Sequence, residues 1–168
     1  MNTYRQKEEI EIMSMKAMPL ISWDIFVNFY FKNLRQFEKK SDLDTINELA
    51  EKFNWKNNID SIIEDNDYEA IVITDKHQKI IWVNEGFTKM TGFPKKFALD
   101  KRPTFLQGKS TSEKTKARFR KNISLDIPFK EVIVNYKKDR SPYKCEVQII
   151  PLYGDTTTHY IALERQVG

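Results

Sequence analysis

The chain has 168 residues, with 28 basic and 24 acidic side chains, a net charge of +4 and one cysteine. Its length supports one domain with an extension, and a single cysteine excludes an internal disulfide framework or a cysteine-rich metal centre. No apolar run approaches the ~18 residues of a membrane span, and the charged N-terminal stretch lacks the apolar core of a signal peptide, so we expect a cytoplasmic protein.

The first part of the chain is predicted to be helical. Residues 1–18 are expected to form a weakly specified arm, and a helix is predicted from about Ser22. Its apolar side chains recur at helical spacing and also cover much of the remaining circumference: Trp23, Ile25, Phe26, Val27, Phe29, Tyr30, Phe31, Leu34 and Phe37. A helix that is apolar nearly all round must be buried on more than one side. We therefore expect a homodimer through the N-terminal helices, with a single compact monomer as the alternative.

Two shorter helices are predicted after this one. Ser41 and the acidic residues around it indicate a second N-cap, followed by a helix that ends near Phe53. A third helix is predicted from about Asn58 to Glu64. Together the three helices form an N-terminal cap or dimerisation segment over residues 1–66, which holds 9 basic and 12 acidic side chains. The remaining residues, 67–168, hold 19 basic and 12 acidic side chains, so the two segments differ in surface charge.

From Ala70 the apolar pattern changes to the alternation that is typical of strands. Gly92 is expected to end the first of three short helices that follow two strands. The predicted elements, in order, are Ala70–Thr74, Lys79–Asn84, Glu85–Thr91, Lys95–Leu99, Ser112–Ile123, Phe129–Tyr136, Tyr143–Leu152 and Thr157–Gln166. This order predicts an α+β fold, in which a five-stranded antiparallel sheet carries short helices on one face around a central pocket.

Three short motifs carry a resemblance to a known family. They are Asn84-Glu85-Gly86-Phe87, Thr91-Gly92-Phe93 and Phe105-Leu106-Gln107-Gly108. In this order they resemble the PAS superfamily over about residues 67–167, and within it the flavin-binding LOV branch. Members of that branch bind FMN and signal through a cysteinyl adduct formed in blue light. The resemblance implies a PAS fold over residues 67–168, a sensory function and FMN as a candidate cofactor.

The resemblance also implies a ligand site. Gln107 stands at the family's contact to the ribityl-phosphate chain, and Arg120 stands at the arginine that meets the phosphate. Asn135 stands at an asparagine on the pyrimidine edge of the flavin, and residues of the first strand and of the Phe105-Leu106 pair form the pocket walls. The full predicted ligand-binding set is Val72, Thr74, Asn84, Arg102, Phe105, Leu106, Gln107, Arg120, Asn135, Cys145 and Glu164.

Four positions depart from the LOV pattern. Pro103 stands where the family has its reactive cysteine, so the usual thiol–flavin bond cannot form there. Thr104 replaces the arginine that follows, and Arg102 is close enough to substitute for it. Cys145 replaces a second asparagine, and Glu164 replaces the glutamine that transmits the signal. An ionised glutamate only accepts hydrogen bonds, so we expect Glu164 to be protonated or paired.

Other chemistries are disfavoured by the residues present. Cys145 is expected to be a small buried strand residue, with a reactive thiol as the alternative. His77 and His159 have no neighbouring metal ligands in the sequence, and no catalytic motif stands out, so we expect neither a metal site nor an enzyme. The basic run from Lys109 to Lys121 contains one aromatic residue, which argues against nucleic acid as a partner.

These observations predict an intracellular PAS sensory module that binds a small ligand in a LOV-like pocket, without adduct photochemistry. Because the last predicted strand ends at Gln166, we expect the signal to leave through the N-terminal helices to an unknown downstream signalling protein. Two alternatives stay open. The first is an FMN-binding flavoprotein that responds to light or redox by flavin photoreduction near Trp82 or Tyr160. The second is a ligand-free protein–protein interaction module whose pocket is filled by its own side chains.

Overall fold

The computed structural model of the protein describes residues 21–168, and the arm predicted for residues 1–18 lies outside them. The described chain divides into two compact units between Asp42 and Leu43. Residues 43–66, which the sequence pattern groups with the N-terminal segment, therefore belong to the same compact unit as the sheet. Among the described residues, no helix is long and apolar enough to cross a membrane.

Helix α1 runs without a break from Ile21 to Phe53, and the short helix α2 covers Ile59–Glu64. The prediction that a new helix begins at Ser41 is wrong, so the described part of the N-terminal segment has two helices where three were expected. Ser41 lies inside α1 because the lysine-rich stretch before it favours a helix, and α1 contains neither glycine nor proline. An N-cap residue starts a helix only where the preceding backbone is not already helical.

The sheet has the five antiparallel strands that the sequence predicts. They are β1 (Ala70–Asp75), β2 (Ile80–Val83), β3 (Phe129–Tyr136), β4 (Pro142–Tyr153) and β5 (Thr157–Gln166). Their order across the sheet is β2-β1-β5-β4-β3, so β5 lies in the middle and pairs with β1 and with β4. The predicted α+β fold is confirmed.

Short helices pack on one face of the sheet, which we call the inner face. They are α3 (Glu85–Thr91), α4 (Lys95–Ala98), a 3-10 helix (Pro103–Leu106) and α5 (Glu113–Ser124). Gly92 ends α3 with a left-handed backbone (φ 76°), as its sequence position predicts. Phe87 of α3 and Leu106 of the 3-10 helix share one apolar core with Val72 of β1 and Val147 of β4.

The opposite face of the sheet, which we call the outer face, is covered by the end of α1 and by α2. Ile46 of α1 and Ile59 and Ile63 of α2 form a second apolar core with Ile161 and Leu163 of β5. Alternate residues of a strand point to opposite faces of a sheet. Strand β5 therefore lies between two apolar layers. A shift of β5 caused on the inner face would also move the side chains that pack against the helices on the outer face.

Candidate functional site

A buried polar cluster lies on the inner face, on the half of the sheet formed by β3, β4 and β5. It consists of Asn135, Tyr143, Cys145 and Glu164, and we call these four residues the polar cluster. The strand register brings them together, because Asn135 faces Tyr143 across β3 and β4, and Glu164 pairs with Val147. Sequence reasoning predicted three of the four and missed Tyr143. The signal that could have found it is its place two residues before Cys145, since alternate strand residues share a face.

The polar cluster contains more hydrogen-bonding groups than hydrogen bonds. The Cys145 thiol donates to Oε2 of Glu164 at a sulfur–oxygen distance of 3.9 Å, which is a weak contact. The Tyr143 hydroxyl is buried and has no hydrogen-bond partner among the described residues. The Asn135 side chain faces Tyr143 across β3 and β4 and partly opposes the rise of the Tyr143 pKa, but the two groups do not form a hydrogen bond of ordinary geometry. Buried polar groups in native proteins are nearly always paired, so this arrangement lacks part of its hydrogen bonding.

Burial also controls the charge of the polar cluster. It raises the pKa of Glu164 to about 7. Burial, together with the charge of Glu164, raises the pKa of Tyr143 and the pKa of Cys145 far above their ordinary values. The polar cluster is therefore uncharged when Glu164 is protonated, and ionised Glu164 is its only charge near neutral pH.

Apolar residues of the predicted ligand-binding set line the same face. Val72 and Leu106 are buried in the core that also contains Cys145, and Phe105 packs against this core. Thr74 is buried on β1, on the face that Val72 occupies, because the two residues are two positions apart along the strand. The structure thus brings these four predicted wall residues to the inner face.

The residues predicted to hold a phosphate tail lie at or near the surface. Arg102 and Arg120 are exposed, and Gln107 is half-buried directly after the 3-10 helix. Helix α5, which carries Arg120, is fixed to β3 by Arg118, whose guanidinium makes two contacts of 2.9 Å with the Glu131 carboxylate. The structure does not bring the three tail residues into the polar cluster, and their contact with a ligand stays a prediction.

Asn84, also in the predicted set, has a structural role at the junction of β1, β2 and α3. Its Oδ1 accepts hydrogen bonds from the backbone amide of Phe87 (3.1 Å) and from the backbone amide of Ile71 (2.9 Å). It therefore caps the first turn of α3 and ties that turn to β1. A ligand contact through Asn84 stays a prediction.

Replacing Asn84 by alanine should destabilise the domain by about 2–3 kcal/mol, because it leaves two buried amide donors without an acceptor. Asn58 offers a matched control, since its side chain caps α2 through one exposed hydrogen bond to the amide of Ser61. Asn58→Ala should cost only about 1 kcal/mol. Urea unfolding of both variants measures the difference, and equal losses would contradict the junction role of Asn84.

The comparison with known families identifies the fold. Residues 69–165, more than half of the chain, match the sequence model of the PAS domain. The chain belongs to the PAS domain family. The matched residues begin one position before β1 and end within β5, so they contain the whole inner face of the sheet and the helices that pack on it.

Several curated relatives of this PAS domain are named as light receptors. Over 102 residues the chain is 34% identical to the blue-light photoreceptor of Listeria monocytogenes serovar 1/2a, a match that covers 58% of this chain and 40% of that protein. Over 92 residues it is 30% identical to blue-light-activated histidine kinase 1 of Erythrobacter litoralis, which covers 53% of this chain and 26% of that protein. The chain therefore spans less than half the length of these relatives.

Solved structures give the same picture of the fold. The LOV domain of the Erythrobacter litoralis EL346 blue-light activated histidine kinase matches with a TM-score of 0.56 and 25% identity, over 59% of this chain and 95% of that one. The light-state LOV structure of the blue-light photoreceptor Aureochrome1 matches with a TM-score of 0.59 and 20% identity, over 64% of this chain and 88% of that one. The predicted PAS fold is confirmed, and LOV-type proteins are among its relatives.

Side chains of the inner face of the PAS domain are buried to slightly different degrees. The exposed fractions of Val72, Leu106 and Cys145 are 1%, 1% and 0%, whereas Thr74 on β1 and Asn135 on β3 retain 7% and 5%. Partly buried aromatic residues, among them Phe105 and Tyr160, pack against the same core. The accessible surface of the inner face is therefore small and extends from β1 to β3.

A second buried polar group, His159, lies on the outer face of the PAS domain and has a structural role. Trp55 Nε1 donates to its Nδ1 at 3.1 Å, and the centroid of the Phe53 ring lies 4.2 Å from that of the imidazole. Burial lowers the pKa of His159. Within residues 21–168, no group of three or more His, Cys, Asp and Glu side chains is arranged to hold a metal ion.

Proposed function

We propose that this PAS domain is a sensory module that binds a small ligand beside the polar cluster and signals through α1, without covalent flavin chemistry and without catalysis of its own. The observation that carries the proposal is the buried Tyr143 hydroxyl, which makes no hydrogen bond of ordinary geometry within residues 21–168, next to a Glu164 carboxyl whose one side-chain hydrogen bond in that range is to a thiol. A ligand with a hydrogen-bond acceptor for Tyr143 would complete this network. The names of the relatives support a sensory role.

The absence of adduct chemistry is proposed from the positions of two residues. Pro103, at the place of the reactive cysteine in LOV proteins, has no nucleophilic group. Cys145 is the only cysteine of the chain, and its thiol is buried with a raised pKa. Since the thiolate is the reactive form of cysteine, a buried thiol of this kind is a poor nucleophile.

FMN is the alternative ligand, and the inner face fits it only in part. Arg102, Gln107 and Arg120 are accessible and would hold its phosphate tail. Val72, Leu106 and Cys145, at positions predicted to surround the ring, are buried, with exposed fractions of 0–1%. We therefore favour a ligand smaller than a flavin ring system, and we assign no step to FMN.

The output is proposed to be a homodimer formed through α1, which passes the signal to a downstream signalling protein. Trp23, Phe26 and Tyr30 form a ladder of stacked rings along the helix, with centroid distances of 5.8 and 6.4 Å. Exposed apolar surface of this extent marks an interaction site in a soluble protein. The large apolar side chains that α1 leaves exposed are Trp23, Ile25, Phe26, Phe29, Tyr30, Phe31, Leu34 and Phe37.

A ligand-free interaction module is the second candidate, and the burial of Val72, Leu106 and Cys145 favours it. If the pocket is filled by its own side chains, the Tyr143 hydroxyl is an uncompensated buried group. Its removal would then be neutral or stabilising by up to ~2 kcal/mol. If a ligand accepts from that hydroxyl, its removal instead weakens ligand binding.

The Tyr143→Phe variant separates the two candidates. If a ligand binds there, its affinity for Tyr143→Phe protein freed of bound ligand should be about tenfold lower than for the wild type, because one hydrogen bond is lost. Mass spectrometry of the small molecules released on denaturation measures the retained amount, and urea unfolding measures stability. Tyr160→Phe is the matched control, since its hydroxyl bonds Asp126 outside the polar cluster. A stabilised Tyr143→Phe variant with no change in released molecules would contradict ligand binding.

A further inference from the structure

Glu164 occupies the most demanding position for a carboxyl group in this fold. It lies on the inner face of the central strand β5, between Ala70 of β1 and Val147 of β4. It is buried, and among the residues that the structure describes its one side-chain hydrogen bond is the weak contact from the Cys145 thiol. The backbone is fixed at the same point, because the Glu69 amide donates to the Glu164 carbonyl oxygen at 2.8 Å. An ionised carboxylate here loses its hydration without gaining strong partners.

No cation of the described residues forms an ion pair with this carboxylate, and the cation nearest the polar cluster among the described contacts is Lys137, whose Nζ lies 5.5 Å from the centroid of the Tyr143 ring. The groups around it on β4 are the acids Tyr143 and Cys145, and Glu69 precedes β1 and acts on Cys145 with a further negative charge. Asn135, the member of the polar cluster on the neighbouring strand β3, is neutral. On the same strand, Arg165 belongs to the outer face and pairs with Glu146 at 2.9 Å.

The helices on the inner face add no charged side chain to this core. They contribute Phe87 and Met90 of α3, Ala98 of α4 and Leu106 of the 3-10 helix, and Phe119 and Ile123 of α5 pack against it. Burial therefore favours the neutral form of the Glu164 carboxyl and raises its pKa to about 7, and the weak hydrogen bond from Cys145 opposes this rise only in part.

We propose that Glu164 is a proton-binding site through which pH near neutrality controls the packing of β5. The step is one proton gained or lost at the carboxyl group. Loss of the proton leaves a buried negative charge, which is relieved when the carboxylate turns towards water and the C-terminal part of β5 shifts. Leu163, next to Glu164 on the outer face, packs with Ile46 of α1 and Ile63 of α2, so this shift reaches the outer helices.

The inference rests on the proposed function for its output through the helices, but its test needs no ligand. Below the ordinary glutamate pKa both the folded and the unfolded chain carry the proton. Between that value and the raised pKa only the folded chain carries it, so stability falls as pH rises through this window and is constant above it. From about pH 5 to about pH 8, the unfolding equilibrium constant of the wild type should rise roughly 100-fold more than that of Glu164→Gln.

The experiment is urea unfolding of the full chain over this pH range, with two variants. Glu164→Gln keeps the size of the side chain and removes its titration. Glu146→Gln is the control, since it removes a carboxylate on the outer face that is partly exposed and paired with Arg165, and it should keep the wild-type pH dependence. Burial lowers the pKa of His159, so its contribution to stability rises with pH, whereas that of Glu164 falls. Because both variants keep His159, comparison with the wild type cancels its contribution.

An infrared measurement of the wild type keeps the test independent of how the variants fold. The carbonyl band of a protonated carboxylic acid should be present at about pH 6, fade by about pH 8 and be missing in Glu164→Gln. Parallel pH dependence of the wild type and Glu164→Gln, or no titrating acid band, would overturn the inference. Either result leaves the release of small molecules, and thus the proposed function, to stand or fall separately.

Discussion

Replacement of Gly86 by alanine should prevent stable folding of the PAS domain. Gly86 is the second residue of α3, and an added Cβ would overlap the backbone carbonyl oxygen of Glu69. Backbone atoms at this point cannot move freely, because the Glu69 amide is bonded to the Glu164 carbonyl oxygen and Asn84 fixes the start of α3 to β1. We expect a loss of more than about 4 kcal/mol, or no folded protein, in urea unfolding followed by circular dichroism.

Gly92→Ala is the matched control for this prediction, at the other end of the same helix. Its backbone is left-handed, but the nearest atom to an added Cβ is the Lys138 Cβ at 3.4 Å, an ordinary contact. The expected loss is therefore only the conformational cost of about 1–2 kcal/mol. A Gly86→Ala protein as stable as Gly92→Ala would show that α3 does not approach β1 as closely as described.

Charges introduced on α1 should convert the protein from a dimer to a monomer. Ile25 and Phe29 are exposed on α1, with exposed fractions of 68% and 62%. If they lie in the proposed interface, the double variant Ile25→Glu and Phe29→Glu buries two carboxylates against apolar surface. The dissociation constant should then rise at least about 100-fold, as expected for the loss of central interface residues. Size-exclusion chromatography with light scattering over a range of concentrations measures it.

The control for the α1 variant is a charge placed on an exposed apolar residue of the other compact unit. Leu125 follows α5 and is 53% exposed, so Leu125→Glu changes the net charge without touching α1. If the protein dimerises through α1 as proposed, Leu125→Glu should still dimerise. Neither variant should greatly change the urea midpoint for unfolding of the compact unit that contains the sheet. A wild-type protein that is monomeric at every concentration, or a double variant that still dimerises, would refute the proposed output.

Local sequence signals were enough to predict most of the PAS domain. Helix α3 has the predicted bounds because Gly92 supplies a left-handed stop. Strands β3 and β5 also have the predicted bounds, and burial alternates along most of each strand. These elements depend on the residues within them and at their ends. Their bounds can therefore be predicted from a single sequence.

What the sequence did not predict depends on contacts between distant residues. The helical stretch before Ser41 overrides its N-cap signal, so α1 continues. The junction role of Asn84 has no signal in the sequence, because its bond to Ile71 exists only once β1 and β2 have paired. Tyr143 could be placed on a face from its spacing, whereas its lack of a hydrogen-bond partner is a property of the packed core. For the same reason the sequence predicted that Glu164 is either protonated or paired, and could not decide between the two.

The most direct test of the central claim is an absorption spectrum of the full chain purified from cells, with mass spectrometry of the molecules released on denaturation. We predict a colourless protein that releases one small molecule, other than a flavin, in an amount close to that of the protein. A flavin spectrum with released FMN would contradict the proposal that the ligand is smaller than a flavin ring system. A protein that releases nothing would contradict ligand sensing and support the interaction module.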